Sequence, residues 1–95
     1  MFLVLLRFRG DKAQAAQRMK DHNAWIQRGF GEGVFLLVGA LQGGSGGAIV
    51  AHNTTSPELQ SRVNADPFVA HGIVNAEIIE ITPSKVDTRL NFLLG

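Results

Sequence analysis

The residues best equipped for chemistry are a histidine and an aspartate far apart along the chain, His22 and Asp66. His22 lies three residues after Met19 and four before Ile26, on the apolar stripe of a helix, so its imidazole turns toward the core. With an ordinary pKa of about 6.5, imidazole is the side chain suited to moving protons near neutrality. Asp66 follows Leu59 and Val63 at i+7 and i+3, which places its carboxylate on the inward face of a second helical stretch. A buried carboxylate requires a partner. Paired with His22, it would set the ring tautomer and stabilise the imidazolium, the base–orienter half of a catalytic triad with no nucleophile attached. Each residue alone also has a plainer reading. His22 reads as a buried histidine satisfied by one partner, and Asp66, preceding Pro67, as the N-cap of a short turn.

Around this pair stand weaker candidates. Gly39 lies inside an apolar run, where glycine weakens a strand unless backbone must approach something closely, a hint of a pocket. Trp25, three residues after His22, flanks the same cleft or serves the core. His71 beside Gly72 reads as a pocket rim, and His52 as a solvent-side residue. Arg7, Arg9 and Arg28 read either as holders of an anionic substrate or as solvated charges. Three scattered histidines, no cysteine and no H-x₃-H spacing argue against a metal site. Gly43-Gly44-Ser45-Gly46-Gly47 lacks the lysine and the following helix of a phosphate loop, and reads as a hairpin tip over a pocket. Ser45 and Ser61 lack the G-x-S-x-G setting of a nucleophile.

The elements that must position these residues follow from patterning. Phe2–Phe8 is a short apolar run, read as a strand. Asp11 with Gln14 reads as a capping box opening a helix from Lys12 to about Phe30, with Ala15, Met19, Ile26 and Phe30 as its apolar stripe. Gly29, Gly31 and Gly33 mark its end. Val34–Leu41 and Ala48–His52 read as a hairpin across the glycine loop. Ser56-Pro57-Glu58 opens a helix running to about Ala65, with Ser56 as cap. Pro67 interrupts it, 66–72 form a further short turn, and Ile73–Ile81 is the fourth strand. The order βαββαβ is the ferredoxin-like α+β plan, a four-stranded antiparallel sheet with two helices on one face. Yet FLVLL and VFLL are apolar on both faces. A second copy is the simplest cover for the open face, so a homodimer packed sheet to sheet is expected, with the tail's Leu90, Phe92, Leu93 and Leu94 capping the sheet or reaching across.

Composition narrows the function. The chain has 95 residues, one domain's worth, with 9 Lys and Arg against 8 Asp and Glu. That near balance, without a basic block, argues against a nucleic-acid partner and a membrane surface. The apolar start meets Arg7 at once and lacks the flanks of a signal peptide, and with no cysteine a cytoplasmic location is expected.

The run Asn64-Ala65-Asp66-Pro67-Phe68-Val69-Ala70-His71-Gly72, with a histidine in the first helix, Gly39-Ala40-Leu41, and Gly46-Gly47-Ala48-Ile49-Val50, resembles the YciI-like, or YCII-related, family over about residues 1–82. The resemblance implies a dimeric α/β barrel of ferredoxin-like subunits, one YciI-like domain over 1–95 with 82–95 as an extension. It also implies a suspected enzyme, with the family's histidine on His22 and its aspartate on Asp66. Gly39, Trp25, Phe68 and His71 are then expected to bind substrate. Two departures bear on substrate shape: Ala40 stands where members commonly have proline, and the hairpin lacks their usual acidic residue. The expected function is acid/base chemistry, isomerisation or elimination, on a small organic molecule, ring-shaped ones included, with no cofactor. A non-catalytic dimeric module that binds a small molecule is the alternative.

Overall fold

The computed structural model describes residues 1–10 and 12–94. Four strands, β1 (Phe2–Phe8), β2 (Phe35–Ala40), β3 (Gly46–Ala51) and β4 (Val74–Glu80), form one sheet in the order β2-β3-β1-β4. Every neighbouring pair is antiparallel. Helix α1 (Ala13–Gly31) links β1 to β2, and α2 (Ser56–Asn64) followed by the single turn α3 (Pro67–Ala70) links β3 to β4. This is the ferredoxin-like α+β arrangement.

Strand alternation decides what faces the helices. On β1, Phe2, Val4 and Leu6 are buried while Leu3 and Leu5 are half-buried on the opposite face. Ile49 and Ala51 of β3 and Val74 of β4 join Trp25, Leu59, Val63 and Phe68 from the helices in one apolar core. The sheet's other face carries an apolar row across all four strands. Leu37 pairs with Val50, Val50 with Leu3, and Leu3 with Ile79. Leu37 remains 55% exposed and Ile79 37%. Arg7 and Glu77 border this row with a 2.9 Å ion pair.

Helix α1 presents a different face from the expected stripe. Ala15, His22, Trp25 and Gly29 are buried, Ile26 is half-buried, and Met19 and Phe30 are exposed. The cause is a close approach at Gly29, where a Cβ would overlap the Phe35 ring. Phe35 is itself held edge-on by Trp25 and Phe30, at ring separations of 5.2 and 6.1 Å. The helix therefore rests on its thinnest residue, and Phe30 is carried to the rim. Gly29→Ala should destabilise the fold by about 1–3 kcal/mol through overpacking, a loss that urea titration measures directly. An unchanged midpoint would mean that Phe35 yields freely.

Local signals differ from expectation at several ends. The cap of α2 is Thr55 rather than Ser56, because the Thr55 hydroxyl accepts the Glu58 N–H at 3.3 Å from an extended backbone. Strand β3 begins at Gly46 instead of Ala48, since Gly46 and Gly47 pair through backbone with Arg7 and Leu6. Gly46 has φ +150° and a Cβ there would overlap the Leu6 carbonyl, so the strand pair closes only around glycine. The Asp11 cap lies outside the described residues, and Lys12 stands at the N-cap position of α1 without a capping side-chain bond. Beyond β4, Ile81 and Met1 exchange backbone hydrogen bonds, and the tail forms a 3₁₀ segment over Thr88–Leu93. Asp87 caps that segment; the Arg89 side chain, and then its backbone N–H, hold the Asp87 carboxyl below the usual range. Phe92 leans edge-on against His52 at 5.5 Å, while Leu90, Phe92 and Leu94 stay exposed. Among the described residues no helix is long and apolar enough to cross a membrane.

Candidate active site

The helical layer brings His22 and Asp66 together. Asp66 sits between α2 and α3, where Pro67 forces the preceding residue into an extended conformation. That turn makes Asp66 the N-cap of α3, with Oδ1 accepting the Phe68 N–H at 3.1 Å. It also aims the carboxylate at α1, and the His22 imidazole lies at 2.7 Å, Nδ1 to Oδ1. Both readings of Asp66 are therefore true at once: it caps a turn, and it holds a histidine. When the carboxylate is ionised it only accepts, and the bond is then Nδ1–H donating to Oδ1. The lone pair of the neutral ring then lies on Nε2.

The imidazole is fixed in plane as well as in tautomer. The Phe68 ring stacks on it at 3.9 Å with 4° between planes, and Trp25 stacks at 5.9 Å and 24°. Phe68 thus acts twice, its N–H on the carboxylate and its ring on the imidazole. Asp66 is fully buried and His22 is 9% exposed. Among the described residues Asp66 Oδ2 is a buried atom with no hydrogen-bond partner, and His22 Nε2, which is not sealed in, makes no hydrogen bond.

What lies beside His22 is a cavity of about 340 Å³, opening between α1 and the hairpin end of the sheet. Ile26, Val38, Ile49, Phe68 and Val74 give it an apolar lining, and Gly39 with Gly44, Gly46 and Gly47 gives it a wall without side chains. Two of the expected binding residues, Gly39 and Phe68, line it.

Trp25 and His71 do not. The indole lies behind the imidazole in the core, its Nε1–H donating to the Arg62 carbonyl at 2.9 Å, and borders a separate depression with Arg28 and Asn53. Three residues advance a helix by about 300°, enough to stack the rings but not to turn the indole into the cavity. His71 ends α3 and points outward, lining a third depression with Arg9 and Gln14. None of the three arginines weighed as anion holders reaches the cavity either: Arg7 pairs with Glu77 on the open sheet face, while Arg9 and Arg28 line the other two depressions.

Other residues at the cavity were not singled out from sequence. Asn23 lines the mouth beside His22, and its adjacency to His22 was the one available signal. Lys12 donates from Nζ to the Gly44 carbonyl at 2.6 Å and lies 5.3 Å above the Phe8 ring, tying the start of α1 to the hairpin tip. No local pattern announces that bond, which joins residues 32 apart.

The profile of the YCII-related domain matches residues 1–83. The chain belongs to the YCII-related family. No curated protein matches it significantly. Among solved structures, this YCII-related chain is similar to the 5-chloro-2-hydroxyhydroquinone dehydrochlorinase TftG from Burkholderia phenoliruptrix, in complex with 2,5-dihydroxybenzoquinone. The two share a TM-score of 0.73 and 18% identity, over 84% of this chain and 91% of that one. At that identity the likeness speaks for the fold. The family match stops just past β4, so the 3₁₀ tail of this YCII-related protein lies outside it.

Proposed function

We propose that this YCII-related protein is an acid/base enzyme acting on a small organic molecule held in the cavity beside His22. One observation carries the reading: His22 Nδ1 is bonded to Asp66 Oδ1 at 2.7 Å, and the imidazole borders an open apolar cavity. In the proposed step, Nε2 takes a proton from an O–H or C–H of the guest, and Asp66 stabilises the imidazolium. The electron pair released either shifts along the guest, which is reprotonated elsewhere, or expels an anionic leaving group. His22 then returns its proton to the product or to solvent. The first course is an isomerisation and the second an elimination. A ring-shaped guest is favoured by the size of the cavity and by the similar fold of a dehydrochlorinase for a hydroxylated ring.

Deuterium exchange tests the reading whatever the product. In D₂O, the protein should wash deuterium into the acidic C–H positions of a small cyclic ketone or hydroquinone from a mixed panel, or release halide from a chlorinated one. His22→Gln should cut the rate of either signal by about 10²–10⁴-fold. Exchange equal in parent and variant would overturn the catalytic role and leave a module that only binds.

We also infer that the apolar row on the open sheet face is covered by a second copy of the chain. Leu37 and Ile79 are exposed at opposite edges of an apolar row that Val50 and Leu3 continue across the sheet, apolar surface of the kind a partner covers. Sedimentation should give twice the chain mass, and Leu37→Lys with Ile79→Lys should give the monomer. A parent that sediments as a monomer would overturn this assembly.

A further inference from the structure

We infer that the cavity beside His22 admits only an uncharged, single-ring-sized molecule, which acquires charge inside by giving a proton to Nε2. This rests on the cavity being the reaction site. Size comes first. An apolar cavity of roughly 150 Å³ accommodates benzene, so about 340 Å³ holds one ring with a few substituents.

Charge comes second. The side chains that line the cavity are apolar except for His22 and Asn23, and among the described residues no Lys, Arg, Asp or Glu lines it. The Arg7 guanidinium is engaged by Glu77, on the far face of the sheet. Arg9 and Arg28 open onto other depressions. The Lys12 ammonium, on an exposed side chain, is turned to the Gly44 carbonyl and the Phe8 ring, two residues of the cavity lining. Among the described residues the carboxylate paired with His22 is Asp66, buried behind the imidazole, where in its ionised form it repels an incoming anion. A carboxylate or phosphate entering here would lose water and gain no counter-charge, which is costly.

The same walls make the proton-transfer step self-compensating. A neutral guest meets the neutral form of the imidazole, the form able to accept a proton. Once the proton has moved, the new anion faces the new imidazolium across the contact at which the proton passed, while Asp66 balances the ring from behind. The anion that forms is paired from the moment of its formation, and it discharges by reprotonation or by loss of a leaving group. The Asn23 carboxamide at the mouth supplies a neutral donor and acceptor that can orient a hydroxyl or carbonyl.

The test is a titration followed by NMR of isoleucine and valine methyls and of the imidazole nitrogens. The probes are phenol, benzoate and benzylammonium. Phenol should shift the methyls of Ile26, Val38 and Ile49 together with His22 Nε2. Benzoate and benzylammonium should bind there at least about tenfold more weakly. An ion that matches phenol in affinity and in shifts overturns the charge selection while leaving the cavity a ligand site. Tight benzoate binding that vanishes in Lys12→Met does the same, by assigning the mouth to anions. Phenol shifts confined to the open sheet face, or none, overturn the selection and the siting of the reaction together.

Discussion

Replacing His22 by glutamine should slow turnover by about 10²–10⁴-fold while leaving the fold intact, as judged by kcat and by the unfolding midpoint. Glutamine keeps a donor that can reach Asp66 Oδ1, so the carboxylate retains a partner. It has no basic nitrogen to offer the cavity. The loss should fall on kcat and hardly on KM, because the apolar walls that hold the guest are unchanged and only the proton transfer is removed. A variant that turns over like the parent would remove His22 from the chemistry, and an increase in KM alone would recast it as a binding residue.

The second large effect is on stability. Asp66→Ala removes one acceptor from two buried donors, the Phe68 N–H and the His22 Nδ1–H. Loss of an N-cap costs about 0.5–2 kcal/mol, and a buried donor left unpaired costs about 1–3 kcal/mol. Together the change should destabilise by about 2–4 kcal/mol, which lowers the melting temperature of a chain this size by roughly 10–25 °C. Asp66→Asn separates structure from chemistry. Its carbonyl can accept both bonds, so most of the stability should return. Its missing charge should leave kcat depressed, since the imidazolium formed during transfer loses its counter-ion. Equal stability of the alanine variant and the parent would contradict the capping role. Full activity of the asparagine variant would contradict the electrostatic one.

Much of this arrangement was legible in the residues. Strand β1 spans the residues its apolar run marks, Phe2–Phe8, and Asp66-Pro67 opens a turn as an extended residue before proline must. His22 and Asp66 were legible as inward-facing, because helical spacing carries orientation. Their meeting was not, because it depends on how α1 and the α2–α3 turn lie across the sheet. That placement is set by side-chain size at contacts distant in sequence, and Gly29 under Phe35 is the instance here. A stripe chosen for hydrophobicity named Met19 and Phe30 and passed over the glycine that the helix rests on. Trp25 fulfils its core reading instead of its cleft reading, and His71 opens onto another depression: nearness in sequence puts a residue near a site without deciding which side of a wall it stands on. The start of β3 was hidden because Gly46 and Gly47 join the ladder through backbone alone.

Trp25 is the single tryptophan in a chain that contains no tyrosine, and its indole lies 5.9 Å from the His22 ring. Indole emission is quenched on contact with a protonated imidazole far more than with a neutral one. The fluorescence of this molecule therefore comes from one emitter, placed next to the group proposed to receive the proton. A stopped-flow trace at the indole wavelength should dim as His22 charges and brighten as it discharges, without any label.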